Sequence, residues 1–355
     1  MKIKKGPIIA LISILAFIAV GIFAPDNAKN TIASFIAQDL RIAIPLAIAA
    51  AGLVFGERSG VLNLGAEGLM LTGALFTWLG TGITNGNPWL GTLMGMASAM
   101  IMALLFAFLV ITIRSNQTVI GVSINILALG LTSTIYRALS GVERPIINFP
   151  TITDVLAKIP GLGSVLTTTN ANGGTDLALV NIPSIGGYLD TVFSQNIMVY
   201  FGIIMIIILQ FILFKTDLGL KVRAVGEYPK ACDTMGINVF RIRYGSVLFS
   251  GLLSGMAGGL LVLDISSFIE NMTAGKGFIA IAAVIFGKYT PLGAFGASTV
   301  FGGAQAFQYL VEAIGWNIPS DLLNMLPYII TIIALAGFIG KTHKPAASTV
   351  PYTKE

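Results

Sequence analysis

The chain is poor in charged residues, cysteine and histidine. Asp, Glu, Lys and Arg make up 10% of its 355 residues, whereas a soluble domain carries about 25%. Its single cysteine, Cys232, excludes an intramolecular disulfide, and its single histidine, His343, stands in a polar tail. Neither residue has the partners that a Cys/His metal cluster needs. These deficits exclude an ordinary soluble domain and a zinc site of the usual kind.

Catalytic motifs are also missing. No HExxH motif is present, and Gly340-Lys341-Thr342 only resembles the end of a phosphate-binding loop, because position 335 is Leu where that loop requires Gly. The net charge of +5 is a modest basic excess of the kind that membrane orientation produces. We therefore expect no catalytic residue, no metal site, no cofactor bound by this chain and no nucleic-acid partner.

Apolar residues are abundant instead. They make up 55% of the chain, the mean hydropathy is +0.86, and apolar runs recur from residue 8 to residue 340, so most of the chain needs lipid as its solvent. We predict an all-α polytopic membrane protein in which residues 1–355 form a single transmembrane domain. About ten transmembrane segments are predicted, near 8–24, 40–56, 61–80, 89–113, 118–139, 196–214, 243–263, 277–287, 291–312 and 322–340.

Two of these segments need comment. Segment 8–24 follows a basic N-terminus like that of a signal peptide, but no A-x-A-like cleavage site follows it, so we interpret it as a retained first span. Segment 277–287 is too short to cross about 30 Å of hydrocarbon at about 1.5 Å per residue. It is predicted to be a partial span supported by its neighbours.

The distribution of charge and glycine predicts the topology. With both termini inside (N-in/C-in), ten crossings place most of the 21 basic residues in the cytoplasm, as the positive-inside rule requires. Spans 2–5 and 7–10 then run in opposite directions, and each set contains one Gly-rich interrupted element, 56–68 or 275–293. This pattern favours an inverted repeat, in which a substrate path commonly runs along the repeat interface.

Two connections are longer than the rest. Residues 140–195 form a predicted extracytoplasmic loop rich in Pro, Gly, Asn and Thr, and it is either a partly disordered insertion or a docking surface for an extracytoplasmic partner. Residues 215–242 form a cytoplasmic loop, with a short helix predicted between Pro229 and Gly236. Its apolar residues Val225, Ala231, Met235 and Ile237 are expected to dock into a groove or to lie on lipid headgroups.

Polar residues inside the apolar segments are candidates for a substrate pathway. Asn63 and Glu67 share one helical face, and a carboxylate at membrane depth costs about 2.5 kcal/mol or more, so it usually faces a cavity or a partner. Alternatively, Glu67 caps free backbone amides or pairs with a basic group such as Arg58. The amides Asn125, Gln305 and Gln308 are further candidates, although intramembrane amides more often join helices. Gly251, Gly255, Gly258 and Gly259 indicate close helix packing.

Four segments resemble a bacterial ABC importer permease. They are Gly56-Glu-Arg-Ser-Gly-Val-Leu-Asn-Leu-Gly-Ala-Glu-Gly-Leu-Met70, Ser123-Ile-Asn-Ile-Leu-Ala-Leu-Gly-Leu-Thr-Ser133, Arg223-Ala-Val-Gly-Glu-Tyr-Pro-Lys-Ala231 and Gly277-Phe-Ile-Ala-Ile-Ala-Ala283. The chain is similar to the ribose/branched-chain amino acid permease family, and within it to the branch for simple sugars and nucleosides. The long loop 140–195 departs from the family pattern.

The resemblance implies a non-catalytic subunit in a bacterial cell membrane, moving a nucleoside or simple sugar inward by alternating access. Its partners would be an ABC ATPase that uses ATP, a second homologous permease and an extracytoplasmic substrate-binding lipoprotein, besides membrane lipid. Residues Glu227, Pro229, Ala231 and Gly236 match the family's ATPase-coupling loop, which implies docking at 227–237. The alternatives are an ion-coupled secondary transporter with Glu67 as proton carrier, and a membrane enzyme or structural subunit.

Overall fold

The structure is a computed structural model of the chain. It describes residues 26–139, 148–159, 167–169, 175–178, 186–314 and 343–354, together with the single positions 319, 322, 325 and 329. The predicted first span, 8–24, and most of the predicted last span, 322–340, lie outside the described residues.

Helices dominate the described part of the chain. They are α1 (Asp26–Arg58), α2 (Ala66–Ile83), α3 (Pro88–Ala107), α4 (Gln117–Leu139), α5 (Ile152–Ala157), α6 (Gly186–Phe193), α7 (Ile197–Lys215), α8 (Asp217–Glu227), α9 (Pro229–Thr234), α10 (Val239–Ile265), α11 (Lys276–Phe286) and α12 (Pro291–Ile314). A π-helical turn, Phe108–Thr112, continues α3. Strands β1 (Thr167–Thr169) and β2 (Thr175–Leu177) pair antiparallel, with Thr168 opposite Asp176.

The all-α membrane class is confirmed. Among the described residues, five helical segments are long and apolar enough to cross a membrane: Asn30–Arg58, Pro88–Thr112, Gln117–Leu139, Ile197–Lys215 and Val239–Ile265. Helix α11 is apolar but only 11 residues long, so at about 1.5 Å per residue it covers about half of the hydrocarbon thickness. The short partial span predicted at 277–287 therefore has its counterpart in α11.

Two helix boundaries differ from the predicted spans. Helix α1 begins at Asp26 instead of near residue 40, because Ala33 and its neighbours pack against Tyr188 and Val192 of α6. The span predicted from residue 61 begins only at Ala66, since Gly60 has a φ of +90° and the backbone stays irregular to Gly65. The interruption predicted within 56–68 is thus present.

Helices α1 and α10 form the centre of the bundle. In the most apolar 18-residue stretch of each of these helices 78% is buried inside the protein, whereas the corresponding share for α4 is 22%. Helix α1 packs along α12, and α10 packs along α3 and α2. The α2–α10 contact is close enough that a Cβ added to Gly258 would lie 1.9 Å from the carbonyl oxygen of Met70. The predicted glycine-mediated packing of α10 is confirmed, whereas α4 leaves most of its apolar surface uncovered.

The described parts of 140–195 are folded. Helix α5 begins with a capping box between Thr151 and Asp154, and Thr151 pairs with Asn196 in an isolated bridge. The side chain of Gln195 accepts a hydrogen bond from Nε of Arg41 at 2.9 Å, which ties this region to α1. These contacts argue against the alternative of a disordered insertion for the described parts.

Candidate functional site

Glu67 joins the N-termini of two helices from opposite halves of the chain. It lies in the first turn of α2 and is 9% exposed. Its Oε1 accepts a hydrogen bond from the backbone N–H of Gly275 at 2.8 Å, and its Oε2 accepts one from Gly277 at 2.6 Å. The carboxylate therefore caps free amide donors at the start of α11, where the helix dipole favours negative charge.

The capping alternative considered for Glu67 is thus present, whereas the pairing with Arg58 is absent from the described contacts. Arg58 donates from Nε to the carbonyl oxygen of Tyr289 at 2.8 Å. The nearby positive charge at Glu67 is Lys276, in the first turn of α11. A Cβ added to Gly277 would lie 2.4 Å from the Glu67 nitrogen, so only glycine lets the two helix ends approach this closely.

Asn125 of α4 holds the interrupted segment in front of α2. Its Oδ1 accepts a hydrogen bond from the N–H of Gly68 at 2.8 Å, and its Nδ2 donates to the carbonyl oxygen of Leu64 at 2.9 Å. One side chain thus satisfies a donor and an acceptor that the break in the helix leaves free. Asn125 and Glu67 together bind α2 to α4 and to α11.

Asn63 and Gln117 complete the hydrogen bonding of the same segment. Asn63 is 1% exposed, and its Oδ1 accepts from the N–H of Gly65 at 2.9 Å. Oε1 of Gln117, the first residue of α4, accepts from the N–H of Leu62 at 2.8 Å. Asn63 therefore lies in the irregular segment before α2, so the prediction that it shares a helical face with Glu67 is wrong. Gln117 was missed, because an amide at the start of a helix gives no signal of a long-range contact.

A cavity of about 230 Å³ lies beside this group. Its polar lining comes from Glu67, Asn125 and Asn271, and its apolar lining includes Leu71 and Phe278. It is also lined by Ile126 and Leu129, whose side chains are 67% and 40% exposed on the uncovered face of α4. Most of the accessible lining is apolar, so the cavity can offer an aromatic ring and few polar atoms to a small molecule. Sequence reasoning did not select Asn271.

Gln305 and Gln308 do not line this cavity. Both lie on α12, where Nε2 of Gln308 donates to Oε1 of Glu312 one turn further along at 3.1 Å. The structure therefore brings Glu67 and Asn125 together at the cavity, leaves Asn63 outside the cavity lining, and places the two glutamines on a different helix. A pathway role for Gln305 and Gln308 stays a prediction.

The predicted helix between Pro229 and Gly236 is present as α9, at one end of the bundle. Pro229 is its first residue, and Gly236 follows it with a φ of +81°. Ala231 is exposed on α9, with Tyr228 and Met235 72% and 81% exposed beside it. Glu227 ends α8, and its Oε2 accepts from the N–H of Ala346 at 3.2 Å.

Two details of this loop were predicted wrongly. Ile237 and Val225 were expected to be exposed and available for docking, but Ile237 is half-buried, and Val225 is fully buried against Cys232, Val239 and Tyr352. The reason for the burial of Val225 is that α8 is a helix of its own and turns this residue inward, under the C-terminal segment. The exposed apolar surface at this end is formed by Tyr228, Ala231 and Met235.

Comparison with known proteins assigns the chain to a family of transport proteins. The family model described as "Branched-chain amino acid transport system / permease component" matches residues 35–335. No solved structure matches the chain.

Three curated relatives align over most of their length. The chain is 40% identical to the guanosine ABC transporter permease protein NupQ of Bacillus subtilis, over 88% of this chain and 94% of the relative. It is 34% identical to the nucleoside ABC transporter permease protein NupC of Lactococcus lactis, over 92% and 99%. It is 33% identical to the putative glucose ABC transporter permease protein TsgC13 of Haloferax volcanii, over 89% and 96%.

Proposed function

The chain belongs to the family of branched-chain amino acid transport system permease components and is the membrane-spanning permease subunit of an ABC importer. On that premise we propose that it carries nucleosides inward by alternating access. The observation that carries the proposal is its 40% and 34% identity, along almost the full chain, to permeases named for guanosine and for nucleosides. Simple sugars are the second candidate class, because a relative at 33% identity is named for glucose.

The cavity beside Glu67 has an aromatic side chain that a nucleoside could use. Phe278 offers a face on which a planar base can stack, and Asn271 carries an amide at the same cavity. Because Glu67 holds the start of α11, a movement that separates α2 from α11 would open the cavity toward one side. We propose that this contact is made and broken during the transport cycle.

An inverted repeat is supported by the way the helices pair. Helix α1 packs along α12, and α3 packs along α10, so the first helix of each half pairs with the third helix of the other half. The two interrupted elements occupy equivalent places, because each precedes a helix whose N-terminus lies at Glu67, namely α2 and α11. We propose that spans 2–5 and 7–10 form this repeat and that the substrate path follows their interface.

We propose that the end of the bundle with α8, α9 and the C-terminal segment faces the cytoplasm, which fits the N-in/C-in orientation. This end contains Arg58, which donates to the backbone carbonyl oxygen of Lys288, together with the basic residues of 215–243 and Lys354. The positive-inside rule places such an end in the cytoplasm. The opposite end then carries the loop of 140–195 on the extracytoplasmic side.

A separate ABC ATPase is proposed to dock on 227–237. The exposed apolar side chains Tyr228, Ala231 and Met235 form a surface that a groove on the ATPase would cover. Helix α9 has only six residues, so it is too short to be stable without packing partners. ATP is hydrolysed by that partner, and this chain transmits the movement.

Two further partners are proposed from uncovered surfaces. A second, homologous permease is expected to cover α4, whose exposed apolar face borders the cavity and so places the substrate path near the subunit interface. A substrate-binding lipoprotein is expected at the opposite end, where Trp89, Phe149, Asp154 and Lys158 line a groove of about 640 Å³. The groove combines aromatic and charged side chains, as protein interfaces do.

A bulky side chain on α9 should abolish coupled transport. We expect the Ala231→Trp variant to insert normally, because this side chain is exposed, but to block docking of the ATPase. Uptake should fall roughly 100-fold, as expected for the loss of about 2–4 kcal/mol of binding free energy at the centre of an interface. Co-purification of the ATPase and uptake by cells are the measurements. Ala97→Trp, on the exposed face of α3, is the matched control. Normal uptake by Ala231→Trp would remove the docking assignment.

The substrate class is tested by uptake of labelled guanosine in cells with and without this chain. Competition by unlabelled nucleosides, ribose and glucose identifies the class that shares the path. We expect chain-dependent uptake that nucleosides block and sugars leave unchanged. Chain-dependent uptake blocked by the sugars would favour the second class, and uptake unaffected by loss of the chain would reject guanosine as a substrate.

A further inference from the structure

The C-terminal segment, residues 343–354, lies in a fixed position against the proposed cytoplasmic end. The N–H of Ala347 donates to the carbonyl oxygen of Gly226 at 2.9 Å, and the N–H of Thr349 donates to that of Gly60 at 3.2 Å. Nη1 of Arg243 donates to the carbonyl oxygen of Val350 at 3.1 Å. Three separate elements, α8, the interrupted segment before α2, and α10, are thus bonded to one short stretch of tail.

Side chains of the same segment pack on α8 and α9. Tyr352 is 6% exposed, lies edge-on to Phe240 with ring centroids 5.4 Å apart, and belongs to a buried cluster with Val225 and Cys232. Nζ of Lys354 lies 3.9 Å from a carboxylate oxygen of Asp233 on α9. Burial of an aromatic ring of this size contributes about 1.5–3 kcal/mol, so the segment is anchored by packing as well as by backbone hydrogen bonds.

The contact between α8, α1 and the tail leaves no free space. A Cβ added to Gly226 would lie 2.0 Å from the carbonyl oxygen of Arg58, and one added to Gly60 would lie 3.0 Å from that of Ala347. The three backbones therefore touch directly. A displacement of α8 must push on the end of α1 and on the tail, because there is no gap to absorb it.

The bonded position Gly60 is close in sequence to the candidate substrate site. It begins the irregular segment that ends at Gly65, two residues before Glu67. Besides the Thr349 bond at Gly60, the hydrogen bonds described for that segment are short-range ones and those from the side chains of Gln117 and Asn125 on α4. A movement imposed at Gly60 is therefore passed along a few residues to the carboxylate that caps α11.

We propose that residues 343–354 are a positioning element of the transport cycle. The tail connects α8 and α9 to the interrupted segment before α2, so that a displacement of α9 by the ATPase is transmitted to Glu67. This role rests on the proposed function, because it requires an ATPase that moves α9. It distinguishes the segment from a loose cytoplasmic extension, whose removal would have no effect on coupling.

The test compares tail variants in the complete transporter reconstituted in liposomes. The variants are Tyr352→Ala and a deletion of 346–355, and the control is Val350→Ala, which removes an exposed side chain but keeps the carbonyl bonded to Arg243. In both variants we expect the ATPase to remain bound and to hydrolyse ATP. The amount of guanosine transported per ATP hydrolysed should fall about tenfold or more, which corresponds to the loss of about 1.4 kcal/mol or more of coupling free energy. Val350→Ala should keep the wild-type ratio.

The single cysteine gives an independent readout of the tail. Burial raises the pKa of the Cys232 thiol above its ordinary value, so maleimide should label it slowly in the wild-type complex and faster in both variants. A wild-type transport ratio in variants with accelerated labelling would overturn the coupling role. If both variants lose ATPase binding as well as uptake, the coupling role is overturned in favour of a purely structural role. A wild-type complex without ATP-driven uptake would overturn the proposed function itself.

Discussion

Replacement of Glu67 by Gln is expected to reduce ATP-driven uptake by about 10- to 100-fold while the protein still inserts in the membrane. The carboxylate accepts hydrogen bonds from two backbone N–H groups, at Gly275 and Gly277. Glutamine keeps one acceptor oxygen and turns an NH₂ group toward the second donor, so one bond is lost. A hydrogen bond to a charged group contributes about 1.5–3 kcal/mol net, which gives the expected factor. Glu67→Ala, which removes both acceptors, should have the larger effect.

The same chemical change at Glu270 is the matched control. Glu270 lies in the segment between α10 and α11, is partly exposed, and pairs with the exposed Arg137, whose hydrogen bond holds the pKa of the Glu270 carboxyl below its ordinary value. Exposed ion pairs contribute little to stability, so Glu270→Gln should transport at a rate close to wild type. The initial rate of guanosine uptake, normalised to inserted protein, is the measurement. Equal rates for Glu67→Gln and wild type would show that the α2–α11 contact has no part in transport.

Replacement of Gly258 by Ala should prevent normal assembly of the bundle. The added methyl group would lie 1.9 Å from the carbonyl oxygen of Met70, and a backbone atom cannot rotate away as a side chain can. Overpacking costs about 1–3 kcal/mol, a large part of the roughly 5–15 kcal/mol that stabilises a protein. We expect the amount of monodisperse protein extracted in mild detergent to fall about fivefold or more by size-exclusion chromatography.

Gly245→Ala provides the control on the same helix. Gly245 also belongs to α10, but a Cβ added there would meet no atom within 4 Å. Since alanine is favoured over glycine by about 1 kcal/mol in a helix, this variant should be extracted in normal or greater amount. A normal yield of Gly258→Ala would mean that α2 and α10 can separate without loss of the fold.

Local signals in the sequence were sufficient for several of the helices and for part of the site. Glu67 and Asn125 stand out because polar side chains inside apolar segments need partners. The positions of Pro229 and Gly236 predict α9 because their backbone preferences match the two ends of a helix. The short apolar run before Gly287 predicts a partial span because its length is insufficient to cross a bilayer.

The remaining features depend on contacts between residues far apart in sequence. Glu67 was a candidate, but the residues that donate hydrogen bonds to it, Gly275 and Gly277, are more than 200 positions away in the sequence. No local pattern identifies them. The burial of Val225 depends on Tyr352 of a tail that has no apolar periodicity. Such contacts are determined by packing of the whole bundle, which overrides local preference.

The fold assignment also decides between the functional alternatives. An ion-coupled carrier would use Glu67 as a proton carrier, which requires the carboxyl to take up and release a proton. In the structure both carboxyl oxygens of Glu67 are instead bonded to backbone N–H groups at the start of α11. Together with membership of the permease family over residues 35–335, this contact favours a role in positioning helices over one in proton transfer.

We propose that an ATPase drives the passage of a nucleoside through this subunit. The most direct test is uptake of labelled guanosine by liposomes that contain the complete transporter, with ATP, with a non-hydrolysable ATP analogue, or with ATP and an ionophore that collapses ion gradients. We expect uptake that requires ATP hydrolysis and that persists in the presence of the ionophore. Uptake without ATP that the ionophore abolishes would contradict it and would establish an ion-coupled carrier.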